Sequence, residues 1–275
     1  MSAEAVEPSR AKLPVFITIT ESFAVLNPAW QPIVLQLTVI AVLATVTDLL
    51  SALAPESPGN STAYGSSLEF VSAVGSLVLL MMFTNLVLGL ARLVLFKEIP
   101  AVTDLFRWGR RQWRFLGNIL LIGLIMVMPA GVGALFSASL GSFLASPAAV
   151  AAFLLLYAAC WLWAGAWLGL LAPIIASDEK GNAIDRAWRV SAGNRMPLVL
   201  LGLCGLGAYL IIHGTGMLLA TFINTEMAPL RIAGSLLTAF FSTALSAVST
   251  ATAAIAYRRL TGKEAQQAVA AERSC

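Results

Sequence analysis

Six apolar runs, at about residues 30–54, 67–96, 115–137, 147–176, 197–221 and 232–256, limit what this chain can become. Each supplies the roughly 20 residues that a bilayer crossing needs. A backbone in hydrocarbon has to satisfy its own N–H and C=O groups, so unbroken runs of this length read as helices. The expected fold is therefore an all-α integral membrane protein with six transmembrane helices. Composition agrees, because only 11% of residues are charged, against about 25% in soluble domains. The membrane domain is expected over residues 15–260, with polar cytoplasmic tails at 1–14, read as disordered, and 261–275. The first 29 residues are too polar for a cleavable signal peptide, so the first span is expected to act as an uncleaved anchor.

The loops fix an orientation. Of the 17 Lys and Arg residues, only Arg231 falls in the three loops 55–65, 138–146 and 222–231. Basic residues of short loops stay cytoplasmic, which predicts both termini in the cytoplasm. The net charge of +3 is accounted for by this asymmetry and does not call for nucleic acid. Cys160 and Cys204 lie inside apolar runs and Cys275 is the last residue, so no disulfide framework or zinc motif is expected.

Between the fourth and fifth runs lies an island of charge, Asp178 to Pro197. At 100° per residue, Ala183, Ala187, Ser191, Ile184 and Trp188 share one side, with Asp185, Arg186 and Arg189 opposite. Asn182 reads as its N-cap, Gly193-Asn194 as its stop, and Pro197 suits the first turn of the next helix. Residues 15–27 suggest a weaker amphipathic helix, with Ile19, Ser22, Phe23 and Leu26 on one side. Shifting the island back by 82 residues sets Ala101, Leu105, Phe106 and Gly109 on one face, with Asp104, Arg107, Arg110, Arg111 and Arg114 on the other. A shift of 165 gives a fainter copy, Trp188 on Phe23 and Pro197 on Pro32. The expected unit is an amphipathic cytoplasmic helix plus a two-span hairpin, repeated three times.

Ala187-Trp188-Arg189-Val190-Ser191-Ala192-Gly193-Asn194-Arg195, followed by Leu198-Val-Leu-Leu-Gly, resembles the Ser-Trp-x-Leu-x-x-Gly-Asn entry into a span. That pattern is found in the glycerophosphoryl diester phosphodiesterase membrane domain and the YciC-like inner-membrane proteins of bacteria. Ala187 stands where that family often has Ser, and Tyr257-Arg258-Arg259-Leu260 is similar to the way those domains close. The likeness covers about residues 15–262. It implies a multi-pass protein of the bacterial inner membrane. About 15 residues follow Leu260, too few for the soluble phosphodiesterase domain of some relatives, so that activity is not expected to carry over.

Candidate sites come in two groups. Arg107, Arg110, Arg111, Arg114, Arg186 and Arg189, interleaved with Trp108, Trp113 and Trp188, suit anionic lipid headgroups, each basic residue near an anionic surface contributing roughly 1 kcal/mol. The competing reading is ordinary positive-inside topology with an aromatic belt. Asp48 and His213, each 16 residues beyond Pro32 and Pro197, would stand about 24 Å up their spans. With Glu69 and Arg231 they suggest an outer polar cluster, the competing reading being contact with interfacial water. Asn85 at mid-span reads as an interhelical hydrogen bonder, with substrate contact the alternative. Gly165-Ala-Trp-Leu-Gly169 allows close helix packing, and Pro129 and Pro173 mark sites where a helix kinks or ends.

The single His excludes paired-His metal motifs, and there is no P-loop or Gly-x-Ser-x-Gly. No catalytic residue, metal or cofactor is nominated. The leading expectation is a non-enzymatic module that binds or moves lipid or another amphiphile. The alternatives are an accessory subunit docking a protein partner or a second copy through its amphipathic helices, and an intramembrane lipid-modifying enzyme.

Overall fold

A computed structural model describes residues 12–53, 63–139, 147–177, 181–222 and 228–262. The predicted loops 55–65, 138–146 and 222–231 and both tails fall largely outside the described residues. Among those described, helix is the only regular structure: α1 (Val15–Leu26), α2 (Trp30–Leu53), α3 (Ala63–Phe96), α4 (Arg110–Ser139), α5 (Pro147–Leu168), α6 (Leu171–Ala176), α7 (Ala183–Val190), α8 (Arg195–Phe222) and α9 (Ala228–Leu260), with 3-10 turns at Asn27–Ala29 and Val102–Phe106. Four stretches among the described residues are long and apolar enough to cross a membrane: Val15–Leu50, Phe70–Phe96, Arg195–Leu218 and Ile232–Leu260. They fit an all-helical membrane protein.

Two expectations about helix boundaries are revised. The segment 15–27 forms α1, but no loop follows it, because the backbone stays helical through the Asn27–Ala29 3-10 turn into α2. Its buried positions are Thr18 and Ser22, while Phe23 faces outward at 57% exposure. The apolar run 147–176 is also broken. Leu170 N–H reaches back only to Trp167 C=O, at 3.1 Å, before α6 begins. Pro173 is the cause: it has no N–H to donate, and its ring would clash with the Gly169 carbonyl in a continuous helix.

α9 is the central element. α2 and α3 pack on it through Ile33, Leu37, Met82, Leu86, Leu90 and Ala247. A second cluster, from Val94 and Leu95 of α3, Leu171, Ile174 and Ile175 of α6, Ala183 and Ala187 of α7, and Ala251, Ile255 and Tyr257 of α9, is fully buried at the end where the arginines gather. This is called the basic end below. α7 follows its sequence closely. Asn182 Oδ1 accepts from Ile184 N–H at 3.0 Å; Ala183, Ala187 and Ser191 are buried; Gly193 takes φ +83°, the left-handed value that ends the helix. Asn194 is buried too, its Oδ1 accepting from Leu13 N–H at 2.9 Å.

Candidate functional site

The segment after α3 turns back on itself. α3 ends at Lys97, whose φ of 58° reverses the chain, and whose N–H closes on Leu93 C=O at 2.9 Å. Residues 98–109 then fold back along α3 and α2. Buried polar side chains in both helices hold them there. Gln36 Nε2 donates to Ala101 C=O at 2.9 Å, and Asn85 Nδ2 donates to Leu105 C=O at 2.8 Å. Asn85 Oδ1 in turn accepts from Gln112 Nε2 at 2.8 Å, and Gln112 Oε1 accepts from Gly109 N–H at 3.0 Å. The last contact is half of a capping box, and it starts α4 at Arg110. Asn85 therefore makes the expected bond between helices, from α3 to Gln112 of α4, and also anchors the folded-back segment through Leu105. Pro100 lies against Gly89, and a Cβ there would come within 3.2 Å of the Pro100 ring.

This fold-back encloses a cavity of about 420 Å³, walled by Asn85, Arg92, Glu98, Asp104, Arg107, Trp108, Arg111 and Gln112 and floored by Leu88, Ile99, Pro100 and Ala176. Its carboxylates have partners: Arg92 pairs with Glu98, and Arg107 with Asp104 at 3.4 Å. Asp104 Oδ2 also accepts from Ala101 N–H at 2.9 Å, which closes the 3-10 turn. Trp108 Nε1 is buried in the wall with no acceptor.

Of the expected arginine face, the structure brings Arg107, Trp108 and Arg111 to the cavity and directs the rest elsewhere. The periodicity that grouped Arg107 with Arg110, Arg111 and Arg114 does not hold, because residues 107–109 are non-helical between a 3-10 turn and α4. Arg110 and Trp113 are exposed, with Trp113 edge-on to Trp108 at 5.3 Å. Arg114 donates to Gly181 C=O at 3.2 Å, tying α4 to the start of α7, and Arg189 pairs with Asp185 on α7 itself. Arg186 is half-buried on α7. Arg92, Glu98 and Gln112 joined the site unnoticed. Arg92 and Glu98 flank the end of a span, where charge is usual, so only the backbone reversal at Lys97 sets them around a cavity.

Trp188 belongs to a second cluster. Trp163 and Trp167 of α5 and Trp188 of α7 meet edge-to-face, at 5.3 to 6.4 Å between centroids. Arg195, the first residue of α8, lays its guanidinium 3.9 Å above the Trp188 ring. Farther along the bundle, Asp48 is exposed on α2, and His213 stacks on Tyr209 of its own helix at 3.8 Å. The side chains of Glu69 and Arg231 lie outside the described residues. A Cβ on Gly165 of the Gly-x-x-x-Gly sequence would meet nothing within 4 Å. Gly165 lines two apolar cavities, of about 420 and 570 Å³, that share Gly169, Gly205, Ser249 and Ala253 between α5, α8 and α9. No group of three or more potential metal ligands occurs among the described residues.

Comparison with protein-family models, characterised proteins and solved structures finds no match for this chain.

Proposed function

We propose that this chain is a six-span protein of a bacterial inner membrane, with both termini cytoplasmic, that binds or moves a lipid or another amphiphile without chemical turnover. The observation that carries this reading is the cavity at the basic end, where Arg92, Arg107 and Arg111 line a recess at the level where helices begin and end. Arg111 stands in the first turn of α4, a helix with no acidic residue there. The positive pole of the helix dipole lies there too, so the arrangement favours an anion in front of it. The apolar cavities beside Gly165 would suit the hydrocarbon part of the same molecule.

α4 and α5, with 30 and 22 residues, reach about 45 and 33 Å at 1.5 Å per residue, which is enough for the remaining two crossings. Glycine–threonine contacts join the two helices of the first and of the last hairpin, with the glycine on the second helix of one and on the first helix of the other, so they do not bear on a repeat. A Cβ on Gly75 of α3 would meet Thr47 Oγ1 of α2 at 2.8 Å, and one on Gly216 of α8 would meet Thr238 Oγ1 of α9 at 2.8 Å. The resemblance to the phosphodiesterase membrane domain and YciC-like proteins rests on residues 187–195, which here form α7 and its cap. The apolar face of α7 is taken up within the fold by α5 and α6, which favours lipid handling over docking a partner through that helix.

Native mass spectrometry of protein released gently from its own membrane tests this. The expected result is a retained lipid that is lost on Arg107→Ala with Arg111→Ala. A protein that retains no lipid, or retains the same lipid after both substitutions, would end the proposal.

A further inference from the structure

The cavity at the basic end is lined by charges of both signs, and this narrows its ligand. Resting on the lipid-handling reading above, we infer that it takes a phosphate ester bearing a primary ammonium a few atoms away, the chemistry of an ethanolamine phospholipid headgroup or of free phosphoethanolamine. A purely anionic headgroup would find arginines, but it would also face two carboxylates on the same wall, Glu98 and Asp104. Both carboxylates are near half exposure, 53% and 42%, and Arg107, the partner of Asp104, is 81% exposed, while Arg92, the partner of Glu98, is 26% exposed. Ion pairs this exposed contribute little and exchange partners readily. A phosphate that takes Arg107 and Arg111 leaves Asp104 without its arginine. An ammonium then replaces that arginine, with Glu98 as the second acceptor, and the charge of the site is conserved.

An ammonium with three N–H donors suits this wall better than a trimethylammonium, which donates none. Quaternary ammonium groups are instead recognised by the faces of several aromatic rings, and Trp108 is the one aromatic residue lining this cavity. The protein does hold a three-ring box, Trp163–Trp167–Trp188, but Arg195 already covers it. The floor of Leu88, Ile99 and Pro100 offers apolar contact to a glycerol and the first methylenes.

The test titrates detergent-solubilised, full-length protein with dihexanoyl phosphatidylethanolamine, phosphatidylglycerol and phosphatidylcholine, with bound species counted by native mass spectrometry. The wild-type chain is expected to prefer the ethanolamine lipid by about tenfold over the other two, the scale of one charge-assisted hydrogen bond. Arg107→Gln should weaken ethanolamine and glycerol lipids alike, by about tenfold. Glu98→Gln and Asp104→Asn should weaken the ethanolamine lipid alone and erase the preference; Glu98→Gln is the safer variant, because Asp104 also closes the 3-10 turn. Phosphoethanolamine displacing the lipid at comparable concentration would identify a soluble occupant of the same chemistry, and failure to displace would identify the lipid. Lipids that bind through Arg107 without preference, or with a preference that both carboxylate variants keep, would overturn the inference and leave lipid handling standing. No binding that responds to Arg107 would remove both.

Discussion

Two clusters at the basic end are built from the same residue types, tryptophan and arginine, and they do opposite things. Around Trp188 the arginine lies over the ring at 3.9 Å and two further indoles meet it edge-on. Around Trp108 the arginines stand apart on different segments and leave about 420 Å³ between them. The difference comes from the chain that delivers each group. Trp163 and Trp167 are four residues apart on one helix face, and the turn after α7 brings Arg195 down on them. Arg92, Arg107 and Arg111 come from a helix end, a non-helical stretch and a helix start, which buried Asn85 and Gln36 hold apart. One cluster is packing; the other is a recess.

That contrast predicts which substitutions cost stability and which cost binding. Trp188→Ala should have the largest effect, lowering stability by about 3 kcal/mol as a half-buried ring and its stacked arginine lose each other, read by reversible unfolding in mixed micelles. Lipid retention at the recess should survive it. Asn85→Ala comes next, at about 2 kcal/mol, since Leu105 C=O and Gln112 Nε2 each lose a buried partner. Here lipid retention should fall as well, because the fold-back loses its anchor; a stable Asn85→Ala protein with unchanged lipid would show that the recess does not need it. Arg195→Gln should cost about 1 kcal/mol of stability, the cation–π contribution, with Arg195→Lys keeping part of it. Arg107→Gln should leave stability within about 0.5 kcal/mol of wild type, because its pair with Asp104 is exposed, and should change lipid binding alone. If Arg107→Gln destabilises as much as Arg195→Gln, the division between packing and recess is wrong.

α7 was legible in the sequence because everything that defines it is local. Its cap, its small-residue stripe and its glycine stop all lie within about a dozen residues, and the helical period does the rest. The same period misled at 101–114. There the chain's path depends on partners far away, Gln36 lying 65 residues before Ala101, and a pattern of faces cannot report a distant anchor. The isolated polar groups were the available signal: Asn85 stood out in its apolar run, and Gln36 carries the same mark. The break at Gly169 was readable too, since Pro173 cannot donate to, and its ring would clash with, the carbonyl four residues before it. The residues around the recess were half legible. Arg107, Trp108 and Arg111 were named, but their carboxylate neighbours looked like ordinary charge at a span end.

The first and last described helices also meet. Arg259 near the end of α9 pairs with Glu21 of α1 and donates to Thr18 Oγ1, across 238 and 241 residues. Synthesis runs at about 5–20 residues per second, so α1 is made roughly 10–50 s before its partner exists. Throughout that interval Glu21 lacks the arginine it pairs with in the folded protein, and the α1–α9 contact cannot form. That contact is thus a late event of folding, set by arrival of the final helix, and a chain stopped short of Arg259 would lack it. Such a half-made molecule carries a distinct feature, a carboxylate whose arginine never came.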